Sequence, residues 1–135
     1  MTPDEARAFI RSNHRAVMVT RRRDGSVQTS PVLAGVDDGG NVVVSSRGVT
    51  AKTHNVRRDP RMTLCLLSDN FFGRWIQVDG RAEVIPLPDA MDGLIAYYRG
   101  ISGEHPDWDE YRRAMEEERR VLIRMTIEHA GPSGS

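Results

Sequence analysis

The chain has one lysine, one cysteine, no long apolar run and no net charge. Its only cysteine, Cys65, lies in the apolar run 64–67, so a disulfide framework is excluded and a reducing cytoplasm is indicated. No segment approaches the ~20 apolar residues of a membrane-spanning helix. A formal net charge of zero argues against a nucleic-acid binder, which needs a basic surplus. These absences predict a soluble cytoplasmic protein without nucleic-acid or membrane partners.

The positions of the histidines argue against a metal site. They stand at positions 14, 54, 105 and 129, and with a single cysteine they have no recognisable metal-ligand spacing. No metal site is therefore predicted.

The length of 135 residues predicts one domain, which we place over residues 1–130. Residues 131–135 are glycine, proline and serine, and they are predicted to form a disordered tail. A capping-box spacing at residues 2–5 predicts a helix at the start. Strands are predicted at 16–20, 27–36, 41–46, 61–67, 73–87 and 121–127, and helices at 2–11, 50–58, 88–100 and 106–119.

This order predicts a mainly β protein with peripheral helices. The strands are short and several are joined by tight glycine turns, so the sheet should be antiparallel. A closed or partly closed six-stranded barrel fits best, because closure removes exposed sheet edges. Gly80 interrupts the longest strand and predicts a bulge or bend there. Six strands leave no room for a ligand inside, so a ligand should bind on the outer wall, where a second subunit can cover it.

The single lysine, Lys52, marks the most informative position. It follows the apolar strand 42–44 and lies where that strand gives way to a short helix. The first N–H groups of a helix are unpaired and favour anions, and lysine is a good phosphate ligand. The alternative is that Lys52 is a solvated residue left over in an arginine-rich protein. Position alone keeps both interpretations open.

Two blocks of sequence resemble a known family. The first block runs from the strand before Ser45 to the strand after Pro60, and it contains Ser45-Ser46-Arg47, Thr50-Ala51-Lys52 and Arg58-Asp59-Pro60-Arg61. It is similar to the flavin-binding split β-barrel family of pyridoxamine 5′-phosphate oxidase. The second block, residues 94–112, closely resembles actinobacterial members that use the deazaflavin coenzyme F420. The resemblance covers about residues 5 to 130 and implies a six-stranded antiparallel split β-barrel of the FMN-binding type.

The resemblance also implies where a cofactor would bind. The cofactor phosphate would lie at the strand-to-helix corner, which offers Ser45, Ser46, Arg47, Ala51, Lys52, Thr53 and Asn55. The ring system would lie along the second strand, at Gln28, Ser30, Pro31 and Val32. Pro31 cannot donate a ladder hydrogen bond, which suits an exposed or ligand-facing strand, although a plain edge-strand breaker is the alternative.

Two positions depart from the family pattern. Several deazaflavin-using relatives carry a basic residue two places before the lysine, where this chain has Thr50; Arg47 can substitute for it. Oxidase members carry an arginine at the start of the second strand, where this chain has Gln28. The lost charge argues against the pyridoxamine oxidase reaction itself, while FMN binding stays open.

Aromatic residues give one further candidate. Trp75, Gln77 and Asp79 share one face of the long strand, with Ile76 and Val78 on the other. Trp75 is interpreted either as part of a site completed by a second subunit or as a surface or dimer-contact residue.

Together the resemblance implies a homodimeric, F420-dependent oxidoreductase. It would transfer a hydride from the reduced cofactor to an electron-poor small molecule such as an enone, quinone, imine or tetrapyrrole-like compound. The alternatives are an FMN-binding oxidase or reductase and a non-catalytic cofactor-binding protein. No catalytic acid or base is assigned, since His54, the one candidate proton donor, fits a solvated position equally well.

Overall fold

One antiparallel sheet dominates the computed structural model, which describes residues 1–132. Its strands are β1 (Arg15–Arg21), β2 (Val27–Leu33), β3 (Gly35–Val36), β4 (Val42–Arg47), β5 (Arg61–Leu67), β6 (Trp75–Ile85) and β7 (Arg120–Gly131). Its helices are α1 (Pro3–Ser12), α2 (Ala51–Arg58), α3 (Met91–Ser102) and α4 (Trp108–Glu117). The mainly β class with peripheral helices is confirmed. No helix within residues 1–132 has both the length and the apolar character needed to cross a membrane.

The sheet has seven strands, so the prediction of six was wrong. The difference arises at Ala34, which splits the predicted strand 27–36 into β2 and β3. β2 pairs with β1 as far as Leu33 opposite Arg15. The Ala34 N–H then donates to the His14 carbonyl oxygen over 2.8 Å, and Gly35 pairs with Val43 of β4. The segment 27–36 thus pairs with β1 before Ala34 and with β4 after it.

This change of partner curls the sheet. The strand order is β2-β1-β5-β6-β7-β4-β3, and its two end strands are consecutive in the chain. On the β2 side of Ala34, β2 and β4 are not paired with each other and a split lies between them, because β2 pairs with β1 and β4 pairs with β7. The split exposes one edge of β2 beside the end of β4.

The inside of the curled sheet is filled with side chains. Alternate residues of each strand point inward, and the fully buried ones include Met18, Leu64, Ile76, Val78 and Met125. A second apolar cluster lies outside the sheet under α3 and α4 and contains Val43, Leu94, Tyr111 and Leu122. The filled interior therefore leaves no space for a ligand inside the barrel, although the barrel has seven strands and not the six from which this was predicted.

Gly80 lies at the predicted irregularity. The register between β6 and β7 shifts between Asp79 and Gly80, which confirms the bulge. A side chain at Gly80 would collide with the Thr126 carbonyl oxygen, because the two strands approach closely at this bend. The alternation of Trp75, Gln77 and Asp79 against buried Ile76 and Val78 is also confirmed.

The ends of the chain differ from expectation in one respect. The capping box of α1 is present, with the Thr2 hydroxyl accepting from the Glu5 N–H. Gly131, assigned to the tail from sequence, is instead the last residue of β7 and pairs with Gln77. Residues 133–135 of the predicted tail lie outside the described residues.

Candidate functional site

The end of β4 and the first turn of α2 form a rigid corner, here called the lysine corner (residues 45–55). Its centre is a cluster of hydroxyl groups, in which Thr53 Oγ1 lies 2.8 Å from Ser46 Oγ and 2.9 Å from Thr50 Oγ1. Thr53 Oγ1 also donates to the Arg47 carbonyl oxygen over 2.9 Å. Ser46 and Thr53 are buried. Their hydroxyls therefore hold the corner together and do not face a ligand.

The helix that starts at this corner has no side-chain cap. Thr50 is the N-cap residue, but its hydroxyl bonds within the cluster and to the Arg47 carbonyl oxygen instead of the helix N–H groups. The first turn of α2 contains no acidic residue. Uncapped N–H groups at the positive end of a helix favour an anion.

Lys52 lies in this first turn beside a second cation. Burial, and after it the nearby Arg120 guanidinium, lower the pKa of Lys52 from its ordinary value. Arg120 is itself paired with Glu118 over 2.7 Å. Glu118 thus offsets part of the Arg120 charge, and the main cost at the corner is the partial burial of the Lys52 ammonium, which an anionic ligand would relieve.

Tyr97 of α3 connects the corner to β2. Its hydroxyl donates to the Leu33 carbonyl oxygen over 2.8 Å. Burial raises the pKa of Tyr97, while the Ser45 N–H and the Arg120 guanidinium act in the opposite direction. Tyr97 therefore lies among Leu33, Ser45 and Arg120, at the point where β2 and β4 diverge.

The hydrogen bond from Tyr97 also shows in which direction the main-chain groups on the free edge of β2 point. The Leu33 carbonyl is directed away from β1, toward α3. Main-chain groups of alternate residues point to the same side of a strand, so those of Thr29 and Pro31 also face the split. Pro31 has no N–H to leave unpaired there, which fits its place on this edge.

The predicted ring-binding residues divide between the two faces of β2. Gln28 and Ser30 are half-buried on the inward side, opposite Thr20 and Met18, and Val32 lies on the same side. The Pro31 side chain is exposed on the other side, beside Val17. The structure therefore brings Gln28, Ser30 and Val32 together and separates the Pro31 ring from them.

Asn55 links the lysine corner to β2. Its amide nitrogen donates to Thr20 Oγ1 over 3.1 Å and to Gln28 Oε1 over 3.3 Å. Arg58 donates to Asn55 Oδ1 over 2.8 Å. Lys52 and Asn55 are about one helical turn apart and lie on one face of α2. Gln28, which accepts from Asn55, therefore lies beside the same helix face as Lys52, the phosphate-binding candidate.

The remaining predicted residues vary in position. Ala51 and Arg47 are exposed at the corner, and Ser45 is half-buried there. Trp75 lies elsewhere, 40% exposed on the outer side of β6 and opposite Leu67. His54 is exposed on α2.

Two residues of the site were missed from sequence. Arg120 belongs to β7 and Tyr97 to α3, so both reach the corner only through the fold. The local sequence does not distinguish Tyr97 from an aromatic residue that packs a helix, and no local pattern distinguishes Arg120 from the chain's other arginines. The one available signal was a tyrosine hydroxyl on the helix predicted at 88–100.

A cavity of about 790 Å³ lies on the far side of Tyr97, between α1, α3 and the β3–β4 turn. Its wall carries both signs of charge, including Arg11 and Asp92. Two further arginines that line it, Arg99 and Arg124, are paired with Glu104 and Glu83. These two arginines of the cavity are thus neutralised by glutamates, whereas Lys52 stands in a helical turn without an acidic residue, and we place the candidate anion site at the corner.

The curled sheet and its cationic corner define a split β-barrel protein, a fold that binds flavin-type cofactors. A family model described as pyridoxamine 5′-phosphate oxidase matches residues 2–132. The chain therefore belongs to the pyridoxamine 5′-phosphate oxidase family, whose members are commonly oxidoreductases.

Solved structures agree on the fold. A conserved hypothetical protein, Rv2991 of Mycobacterium tuberculosis, is 21% identical with a TM-score of 0.76, over 96% of this chain and 82% of its own. A protein described as F420 reductase is 17% identical with a TM-score of 0.72, over 92% and 94% of the two chains. A protein of Listeria innocua described as a putative pyridoxamine 5′-phosphate oxidase is 16% identical with a TM-score of 0.71, over 98% of each chain. At these identities the likeness is one of fold.

Proposed function

We propose that the protein is an F420-dependent oxidoreductase, with the cofactor phosphate at the lysine corner and the deazaflavin ring along the edge of β2. The observation that carries the proposal is Lys52, which is partly buried beside Arg120 at an uncapped helix N-terminus. Two supports come from elsewhere: the likeness of residues 94–112 to deazaflavin users, and a fold shared with a protein described as F420 reductase.

The residues present fit a phosphate-bearing ligand. Lys52 and Arg120 supply charge, and the first N–H groups of α2 supply donors that Thr50 leaves uncapped. The buried hydroxyl cluster fixes these groups, so little ordering is needed when the ligand binds.

Gln28 and the β2 edge would bind and orient the ring. When bound, reduced F420 would supply a hydride for an electron-poor small molecule such as an enone, quinone or imine. No side chain is assigned as a proton donor.

We further propose that the protein acts as a homodimer through the outer face, defined as the exposed side of β2, β1, β5 and β6. Pro31, Val17 and Cys65 are successive cross-strand neighbours on this face. Trp75, Leu33 and Val27 are exposed there, and the adjoining loop carries Phe71 and Phe72. A second copy would bury this apolar surface and, because β2 borders it, would also wall the shallow ligand groove.

Binding of F420 to Lys52→Ala protein tests the proposal. Loss of a charged hydrogen bond to phosphate should weaken binding by about 1.5–3 kcal/mol. Arg113→Ala, on the exposed side of α4, is the matched control and should leave the affinity unchanged. Equal affinity of the wild-type and Lys52→Ala proteins would contradict the proposed phosphate site. Turnover of an acceptor panel then separates an enzyme from a cofactor carrier.

FMN in the same groove is the second candidate, and one observation favours it. Arg57 donates to the Gly48 carbonyl oxygen and Arg58 to the Arg21 carbonyl oxygen. These two arginines are thus committed to main-chain contacts, which leaves Arg47 to meet the anionic tail that F420 has and FMN lacks. Competition between F420 and FMN decides between the two. An F420 advantage that shrinks as salt rises supports F420, since exposed charge contacts are screened.

A further inference from the structure

A chain of hydrogen bonds runs from the surface of α2 to the edge of β2. Arg58 Nη2 donates to Asn55 Oδ1 over 2.8 Å, and Asn55 Nδ2 donates to Gln28 Oε1 over 3.3 Å. Asn55 Nδ2 also donates to Thr20 Oγ1 over 3.1 Å. These hydrogen bonds therefore connect a charged residue at the C-terminal end of α2 to the residue expected to meet the ligand ring.

The direction of these bonds is set at Arg58. A guanidinium donates hydrogen bonds and cannot accept them, so the Asn55 oxygen must face it. The Arg58 guanidinium is fixed by a second bond, 2.9 Å long, to the Arg21 carbonyl oxygen. Asn55 is only 6% exposed, and turning its amide would direct its NH2 group at the Arg58 cation and leave both donors without an acceptor. Its NH2 group is thus held toward Thr20 and Gln28.

The same argument fixes the orientation of the Gln28 side-chain amide. Its oxygen accepts from Asn55, so its NH2 group is directed elsewhere. Within residues 1–132 every fully buried side-chain nitrogen or oxygen has a hydrogen-bond partner, and Gln28 Nε2 has none, so this NH2 group reaches solvent. The Gln28 NH2 group, the last donor in this series of hydrogen bonds, is therefore available at the β2 edge.

We infer that Arg58 and Asn55 are positioning residues that hold Gln28 as a hydrogen-bond donor toward the ligand. The ligand edge that faces β2 must then carry an acceptor, either a carbonyl oxygen or an unprotonated ring nitrogen. This inference rests on the proposed cofactor site, since Gln28 forms the β2 side of it. It also gives Arg58 a role other than binding an anionic tail.

The substitution Asn55→Asp reverses the direction of the hydrogen bond between residue 55 and Gln28. An aspartate offers two acceptor oxygens and no NH2 group. Arg58 and the Thr20 hydroxyl can still donate to it, so α2 stays attached, but Gln28 must turn its NH2 group inward and present its oxygen to the ligand. F420 affinity, and FMN affinity measured in parallel, should fall by about tenfold or more, the size expected for a lost hydrogen bond facing an unmatched acceptor.

A double-mutant cycle separates positioning from a general structural role. In a Gln28→Met background no amide remains to be turned, so the effect of Asn55→Asp on affinity should shrink by about fivefold or more. Equal losses in the two backgrounds would mean that Asn55 acts independently of Gln28 and would overturn the inference. Gln28→Met alone should weaken binding less than Asn55→Asp, because it removes a donor without presenting an acceptor.

Side-chain amide exchange in the ligand-free protein tests the bond direction without any cofactor. By NMR, the Gln28 NH2 protons should exchange with solvent quickly and those of Asn55 slowly. In Asn55→Asp protein the Gln28 protons should become slow. Slow exchange at Gln28 in the wild type would overturn the inference. Failure of the wild type to bind either F420 or FMN would instead overturn the proposed cofactor site, so the two failures are distinguishable.

Discussion

At the scale of single residues, the charge state of Lys52 links binding to pH. Burial and the neighbouring Arg120 guanidinium lower the pKa of Lys52 from its ordinary value of 10.5. Affinity for a phosphate-bearing ligand should therefore decline as pH rises through the window between the lowered pKa and 10.5. Titrations from pH 7 to 10 test this. Lys52→Arg protein, which stays charged throughout, should show no decline in that window; a parallel decline in both proteins would assign the effect to another group.

The same shift acts on folding with a definite sign. A lowered pKa means that the folded state holds the Lys52 proton less tightly than the unfolded state does. Stability therefore rises with pH through the window, and below it the charged lysine disfavours folding. At pH 7 Lys52→Met protein should thus have a free energy of unfolding equal to or above that of the wild type in urea, although it binds F420 weakly. A clear loss of stability would indicate that Lys52 is a structural residue.

Gly80 lies where the barrel leaves no room for a side chain. An added methyl group would strike the Thr126 carbonyl oxygen, which is main chain and cannot move aside. Gly80→Ala should lower the free energy of unfolding by about 3 kcal/mol, at the upper end for overpacking. Gly100→Ala is the matched control, because no atom lies within 4 Å of the added carbon. It replaces a helical glycine and should stabilise by about 0.5–1 kcal/mol. Urea unfolding of both variants measures the contrast.

At the scale of elements, the join between β4 and α2 depends on buried hydroxyls. Thr53→Val keeps the shape of the side chain but removes the bond to the Arg47 carbonyl oxygen and the contact with Ser46. The expected cost is about 1–3 kcal/mol in the free energy of unfolding, because buried polar partners are left unsatisfied. Thr126→Val, on the exposed side of β7, should change stability by less than about 0.5 kcal/mol. Similar effects of the two substitutions would contradict the proposed role of the cluster.

Most elements were predictable because their signals are local. The capping box of α1, the glycine turns at 25 and 40 and the alternation along β6 each depend on neighbours in sequence. The break at Ala34 was not predictable, because it follows from the bond to His14 and from competition between β1 and β4 for one segment. The site divides in the same way. Lys52 is visible from its place after a strand, whereas Arg120, Tyr97 and the bonding of Arg58 depend on elements distant in sequence.

At the scale of the whole molecule, the outer face predicts the oligomeric state. Light scattering at micromolar concentration should give twice the chain mass. Trp75→Glu places a charge on the outer face and should shift the protein toward monomer and weaken F420 binding. Because Trp75 is 40% exposed in the single chain, its replacement should cost little folding stability. Ala96→Glu, on the exposed side of α3, is the control and should stay dimeric. A wild-type monomer with tight F420 binding would rule out a site shared between two copies.

The solitary lysine has a practical consequence as a chemical reporter. Lys52 carries the only side-chain amine in 135 residues. A depressed pKa leaves more of that amine unprotonated near neutrality, so an acylating reagent should modify it faster than an ordinary surface lysine. A bound phosphate would both cover the amine and favour its protonated form. Mass spectrometry of the peptide that contains Lys52 would then measure the fraction of protein whose phosphate site is occupied. Unlabelled metabolites could therefore be screened for their ability to protect this amine from acylation.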